Sequence, residues 1–208
     1  MMKKKTKRKI ILISTVVLAV VGYVLFMQVI KPQLDGRMVT AVVPMVIEND
    51  GLSYGFTYPS GEQGYTLIEP PLPESPTDGL QQVFIIMDTQ DYIKYQAPGN
   101  GAAAPAAVSV FVVELPELPE GVDRLAHLTT WAEANPQFSS YSRRTTEPES
   151  LTLDGVKAVR YHTDGAFRQT VHLATYQGNA YVFVGQYEDD TDAIRAMYDE
   201  LITSVTFY

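Results

Sequence analysis

Hydrophobic and polar positions divide the chain into stretches of different period. The first stretch has no period. Ile10–Ile30, IILISTVVLAVVGYVLFMQVI, is a run of 21 residues without a charge. A helix of that length reaches roughly 30 Å, the thickness of a bilayer core. The run predicts a transmembrane helix. It exceeds the apolar region of a cleaved signal peptide, about 7–15 residues, and no A-x-A-like site follows it. An uncleaved signal anchor is therefore expected. Residues 31–50 read as a juxtamembrane stalk. Within it, MVTAVVPMVIEND (Met38–Asp50) is a second apolar run, broken by Pro44 and too short to span. It reads as a strand or a membrane-proximal packing segment.

From Gly51 the period is two. In GLSYGFTYP, Leu52, Tyr54, Phe56 and Tyr58 fall on one face of a strand. SGEQG turns the chain, and YTLIE (Tyr65–Glu69) reads as the returning strand. After the Pro-rich loop Pro70–Gly79, VFIIM (Val83–Met87) and VSVFVVEL (Val108–Leu115) are continuous apolar runs, the pattern of buried strands. QAPGNGAAAPAA (Gln96–Ala107) lies between them as a solvent loop. The period then becomes helical. DRLAHLTTWAEAN (Asp123–Asn135) carries Leu125, Leu128 and Ala132 at helical spacing, with Val122 one turn earlier, Asp123 as N-cap and Pro136 as the stop. Three strands follow, Val156–Thr163, Ala166–Tyr176 and Ala180–Gln186, joined by DG and QGN turns. A last helix, Thr191–Ser204, has Ile194, Met197, Tyr198 and Leu201 as its stripe. Asp189, Asp190 and Asp192 stand at its start, where negative charge suits the helix dipole. This order predicts an α+β domain over Gly51–Tyr208, an antiparallel β-sheet with helices packed on it.

Charge orients the chain. Six of the 16 Lys/Arg lie in residues 1–9, and no Asp or Glu precedes Asp35. The positive-inside bias makes residues 1–9 cytoplasmic and everything from Lys31 onward extracytoplasmic, a single pass through the cell membrane. From Lys31 onward, 10 Lys/Arg stand against 24 Asp/Glu, a balance of −14. So acidic a surface excludes nucleic acid as a partner. The chain has no cysteine, which removes disulfides, thiolate nucleophiles and Cys-based zinc sites. It holds no G-x-G-x-x-G, P-loop or G-x-S-x-G pattern, and Glu188–Asp192 lacks the spacing of a calcium loop. No cofactor and no metal are expected.

Two of the three histidines flank the hairpin YHTDGAFRQTVH (Tyr161–His172). If DG alone turns the chain, His162 faces Phe167 across the hairpin and the histidines take opposite faces. If DGA turns it, His162 faces Arg168, Ala158 faces His172, and both histidines share a face, roughly 13 Å apart at strand rise. The second register gathers Val159, Tyr161, Phe167, Val171 and Leu173 on one side and is preferred. Neither register makes a shared zinc site, whose ligands each approach to about 2 Å. What remains is a basic stripe of Arg160, His162, Arg168 and His172. It is a candidate anion- or partner-binding patch, unless its charges simply pair with carboxylates on a solvated face. His127, on the first helix, has no partner in sequence. Trp131 reads as core.

Several of these positions together resemble one family. They are F-x-Y-P (Phe56, Tyr58, Pro59), LTTWAEAN (Leu128–Asn135), D-G-x-x-A (Asp154, Gly155, Ala158), Y-x-F (Tyr181, Phe183) and a closing I-x-S-x-x-F (Ile202, Ser204, Phe207). Over Gly51–Tyr208 the chain resembles the PsbP/Mog1-like α/β/α sandwich, in particular prokaryotic members, some with an N-terminal membrane or lipid anchor. It departs from them in its long Pro-rich and Ala/Gly-rich loops. The resemblance implies a binding or assembly-factor scaffold and supplies no catalytic residues, so no enzyme is expected. The expected function is a single-pass, membrane-anchored extracytoplasmic interaction or assembly-factor domain with a protein or envelope partner. The alternative is a small-ligand carrier or sensor with a pocket between sheet and helices. A hydrolase ranks below both and requires a histidine within reach of a nucleophile or carboxylate.

Overall fold

The computed structural model describes residues 43–72, 79–97, 103–117 and 121–208. The described residues belong to one compact unit. The expected span Ile10–Ile30, the basic residues 1–9 and most of the expected stalk lie outside the described residues. Among the described residues no helix is long and apolar enough to cross a membrane.

Ten strands form one sheet. They are β1 (Val43–Asn49), β2 (Tyr54–Ser60), β3 (Tyr65–Ile68), β4 (Leu80–Asp88), β5 (Val108–Glu114), β6 (Glu149–Leu153), β7 (Val156–Asp164), β8 (Arg168–Tyr176), β9 (Asn179–Tyr187) and β10 (Thr206–Phe207). Their spatial order is β1-β2-β3-β4-β5-β9-β8-β7-β6, with β10 paired to β2. All pairings are antiparallel except a parallel bridge between β2 and β3 at Ser60 and Tyr65. Among the described residues are four α-helices, α1 (Thr89–Gln96), α2 (Arg124–Ala134), α3 (Pro136–Ser139) and α4 (Ala193–Ser204), and a short 3-10 helix, Tyr141–Arg143.

Both faces of the sheet are covered. On one, Ile194, Met197, Tyr198 and Leu201 of α4 pack against Tyr54, Phe56, Phe84, Val110 and Phe183. On the other, Leu128, Trp131 and Ala132 of α2 pack against Val159, Tyr161, Val171, Leu173 and Val182. This explains the continuous apolar runs of β5 and β9, which lie between two helical layers. Each fully buried side chain of this size contributes about 1.5–3 kcal/mol. Asp123 caps α2 as expected, its carboxylate accepting from the N–H groups of Leu125 and Ala126. Pro136 ends α2 and also opens α3 at its first position, where the missing N–H costs nothing.

Four elements refine or correct the sequence reading. The sheet begins before Gly51: of the two readings of Met38–Asp50 the strand holds over Val43–Asn49, which forms β1, paired with β2 along its whole length from Val43↔Ser60 to Asn49↔Tyr54. β3 is not the return arm of a hairpin with β2. It pairs antiparallel with β4, from Tyr65↔Asp88 to Ile68↔Ile85, because Thr89 ties the intervening loop to the end of β4 through Gly61 O and Gly64 O. α1 has no counterpart in the sequence reading; only its Thr89 is buried, so it has no apolar stripe to announce it. β6 is short, mostly exposed and on the sheet's edge.

Candidate functional site

The β7–β8 hairpin pairs Asp164 with Arg168, His162 with Thr170 and Arg160 with His172. The loop is therefore Gly165, Ala166 and Phe167, and Asp164 belongs to the strand. Neither expected register holds. The observed one is displaced by two residues from the preferred register, and an even displacement keeps every side chain on its face. Arg160, His162, Arg168 and His172 do share one face, the α4 face. The two histidines are two rungs apart rather than four, diagonal neighbours at about 7–8 Å. Among the described residues no group of three or more His, Cys, Asp or Glu is placed to hold a metal ion.

The stripe is broken at one end. His172 is 5% exposed and lies under Tyr198 of α4. Its Nδ1 is 2.7 Å from the Tyr198 hydroxyl, which donates to Phe183 O at 2.9 Å. With the hydroxyl proton given to Phe183, the imidazole donates from Nδ1 to the hydroxyl oxygen. Burial pushes the His172 pKa down to about 3, and the charges of Arg160 and His162 push the same way. His172 is thus a neutral core residue and not part of a binding patch. The helix can approach this closely because β9 carries Gly185 there: a Cβ at Gly185 would stand 2.5 Å from Cγ of Tyr198.

Of the other three members, Arg160 is ion-paired, Arg168 stands opposite a carboxylate residue and His162 meets a hydroxyl. Arg160 Nη2 is 2.5 Å from Glu149 Oε2 across the β6–β7 pair, an exposed ion pair of small stabilising effect, at most about 1 kcal/mol. Arg168 faces Asp164 across the hairpin. His162 Nδ1 is 3.1 Å from Thr170 Oγ1, itself 3.0 Å from the Tyr187 hydroxyl. Burial, and next the Arg160 charge, hold the His162 pKa below its usual value. The sequence reading missed Arg195 of α4, which ion-pairs with Asp190 and lies 5.0 Å over the Tyr187 ring. His162, Arg168 and Arg195 line one groove of about 280 Å³ that Asp164 and Asp190 also line. The groove is charge-balanced rather than basic.

A cavity of about 660 Å³ lies among Tyr65, Asp88, Asp91, Phe167, Glu188, Asp189 and Asp192. Most of its carboxylates have structural work. Asp88 caps α1 through the N–H groups of Gln90 and Asp91. Asp192 caps α4 and accepts from Glu188 N–H. Asp189 accepts from Thr191 N–H and Oγ1–H, which holds its pKa down. The helix-capping reading of Glu188–Asp192 is the one the geometry supports.

Two of the three histidines have side-chain hydrogen-bond partners. His162 meets a threonine hydroxyl and His172 a buried tyrosine hydroxyl. His127 Nε2 is buried with no hydrogen-bond partner.

No protein-family model matches the sequence, and no curated protein matches it. Among solved structures, the fold is similar to the solution structure of cyanobacterial PsbP (CyanoP) from Synechocystis sp. PCC 6803. The identity is 16%, the match covers 82% of this chain and 96% of that one, and the TM-score is 0.50. A crystal structure from Bacteroides thetaiotaomicron VPI-5482 is also similar, at 9% identity, 78% and 48% coverage and a TM-score of 0.38. The first likeness establishes the fold, a mostly antiparallel sheet with helices in the PsbP-like arrangement.

Proposed function

We propose, from the premise of a PsbP-like fold, that the chain is an interaction or assembly-factor domain held at a membrane by Ile10–Ile30 and working outside the cytoplasm. The uncharged run and its basic flank support the anchor and its orientation. The observation that carries the interaction reading is the placement of exposed apolar side chains. Val43, Met45 and Val46 on β1, and Ile93 and Tyr95 on α1, make up five of the seven large apolar residues exposed among those described. The rung Val43–Ser60–Tyr65–Asp88 sets the start of β1 and the start of α1 at the same end of the sheet. β1 is an edge strand, and Pro44 within it removes one donor that another strand would use.

The partner is a protein segment that is both apolar and basic. The apolar residues match β1 and α1, and the carboxylates of the adjoining 660 Å³ cavity match positive charge. The helix–sheet interfaces favour surface recognition over the alternative of an interior carrier. Tyr198 fills the space over Gly185, and Leu128, Trp131 and Ala132 are buried with Val159, Leu173 and Val182 of the sheet.

Protease protection on intact cells and carbonate extraction test the location. Release of the intact domain from unopened membranes by carbonate removes the anchor. For the partner, a photo-crosslinking residue at Tyr95 of the full-length protein is expected to capture a peptide of net positive charge, and Ile93→Glu is expected to abolish capture. Capture that is unchanged by Ile93→Glu sinks this surface.

A further inference from the structure

The two edges of the sheet are not alike. β6 closes one edge with five residues, of which Glu149, Ser150 and Thr152 are exposed, and Glu149 is paired with Arg160. β1 closes the other with seven residues, among them the exposed Val43, Met45 and Val46. No lysine blunts it.

The bonding phase of β1 follows from β2. In an antiparallel pair, alternate residues turn both N–H and C=O toward the partner strand, and the residues between them turn both away. Thr57, opposite Val46, gives its N–H to Ser204 Oγ at 2.8 Å rather than to β1. Val46 therefore turns its own N–H and C=O outward. So do Pro44 and Glu48, two residues to either side. The rung Pro44–Pro59 agrees: neither residue has an N–H, so it can hold no ladder bond. The open edge thus offers the C=O of Pro44 and both the N–H and the C=O of Val46 and Glu48. Such a row is a template for a further strand.

This row fits an inverted copy of itself. With a two-fold axis at Val46, each Val46 N–H donates to the C=O of the other Val46. Each Glu48 N–H donates to the Pro44 C=O of the other copy. The donor that Pro44 lacks leaves only a Glu48 C=O at each end of the seam, where water reaches it. Val46 meets Val46 on one face of the sheet and Met45 meets Ile47 on the other, pairs of apolar side chains that favour strand association. The two Glu48 residues stand four rungs apart, about 14 Å, beyond the screening length of about 8–10 Å. An axis moved to Ile47 would bring them to diagonal neighbours at about 7–8 Å, so charge selects Val46.

We infer that two copies of this chain pair β1 to β1, antiparallel about Val46, and continue one sheet into the next. The contact is isologous, as a two-fold requires. Seven residues a side are fewer than the roughly 20–30 of a standard interface, so the pairing is weak and forms where copies are held at high density. It uses the main chain of β1 and does not rest on the partner surface proposed above.

The test uses the full-length protein reconstituted in liposomes. The chain has no cysteine, so an introduced thiol has no competitor. Val46→Cys sets two Cα atoms about 5.5 Å apart across the axis, inside the disulfide range of about 4.4–6.8 Å. Val43→Cys sets them six rungs apart, about 20 Å. Under a mild oxidant the first variant is expected to give a disulfide-linked dimer on a non-reducing gel, and the second to stay monomeric. Adding Glu48→Pro to Val46→Cys removes two of the four bonds and leaves the ladder with β2 whole. Crosslinking should then fall while strand content by circular dichroism is kept. Equal crosslinking of Val46→Cys and Val43→Cys overturns the register. Crosslinking undiminished by Glu48→Pro overturns main-chain pairing, and no crosslinking in either variant overturns the dimer. In cell membranes, a Val46→Cys disulfide to another protein instead of a second copy gives the edge to a foreign strand and also overturns the inference.

Discussion

Substituting His172 by glutamine tests whether the imidazole is a buried neutral group. In the folded chain its pKa is about 3; in the unfolded chain it is about 6.5. The unfolded state therefore binds a proton that the folded state refuses. The stability from keeping His172 neutral is fully present above pH 6.5 and is lost as pH falls toward 3. Between pH 7.5 and pH 5 the loss works out at about 2 kcal/mol, one pH unit of difference being worth about 1.4 kcal/mol. That is a sizeable part of a total stability of about 5–15 kcal/mol. The assay is urea unfolding of the chain from Lys31, followed by the fluorescence of Trp131, the single and buried tryptophan. Glutamine keeps a donor for the Tyr198 hydroxyl but does not titrate. The pH-dependent loss in His172→Gln should be smaller than in the parent by about 2 kcal/mol. The carboxylates and His162 are common to both chains and cancel in the difference. Equal pH dependence in the two chains refutes the argument, whatever the variant's stability at pH 7.5.

Other outcomes follow from both faces of the sheet. Gly185→Ala places a methyl 2.5 Å from the Tyr198 ring and should cost about 1–3 kcal/mol, read as a lower Tm with unchanged strand content by circular dichroism. Tyr198→Phe leaves His172 Nδ1 and Phe183 O without their shared hydroxyl. It should cost about 1–3 kcal/mol by urea unfolding at pH 7.5. Asp123→Ala removes the α2 cap at about 1 kcal/mol, seen as a proportionate drop in the urea midpoint. Arg160→Glu with Arg168→Glu should leave crosslinking from Tyr95 unaltered. Weakened crosslinking in that variant would restore the stripe as a binding surface.

Which features could be read in advance depended on whether local pattern or distant packing decides them. The α4 stripe Ile194, Met197, Tyr198 and Leu201 was legible because period alone sets it, and all four are buried. The shared face of the stripe residues was legible for a similar reason: parity survives a two-residue slip. The register itself was not. Two DG pairs occur in this stretch. Asp154 and Gly155 adopt positive φ and make a two-residue turn, whereas Asp164 is extended and pairs with Arg168. Nothing in the dipeptide distinguishes them; pairing of Arg168 with Tyr187 in β9 holds the second in strand. The burial of His172 was hidden because it depends on where α4 lands. One clue was available. A glycine inside the apolar run of β9 marks a place where another element comes close, and at Gly185 that element is Tyr198.

The long edge of β2 is shared along its length. β10 meets it at Tyr54 and Gly55, β3 meets it at Ser60, and between them Thr57 N–H donates to Ser204 Oγ at 2.8 Å. Tyr208 joins in, its hydroxyl donating to Tyr54 O across 154 positions of sequence. A strand near the start of the domain thus waits for a segment far along the chain before its second edge is closed. Such closure is slow, because long loops must be ordered first. Until residues 204–208 have been synthesised and docked, β2 exposes an open edge to any other chain nearby, which makes that interval the period of greatest aggregation risk.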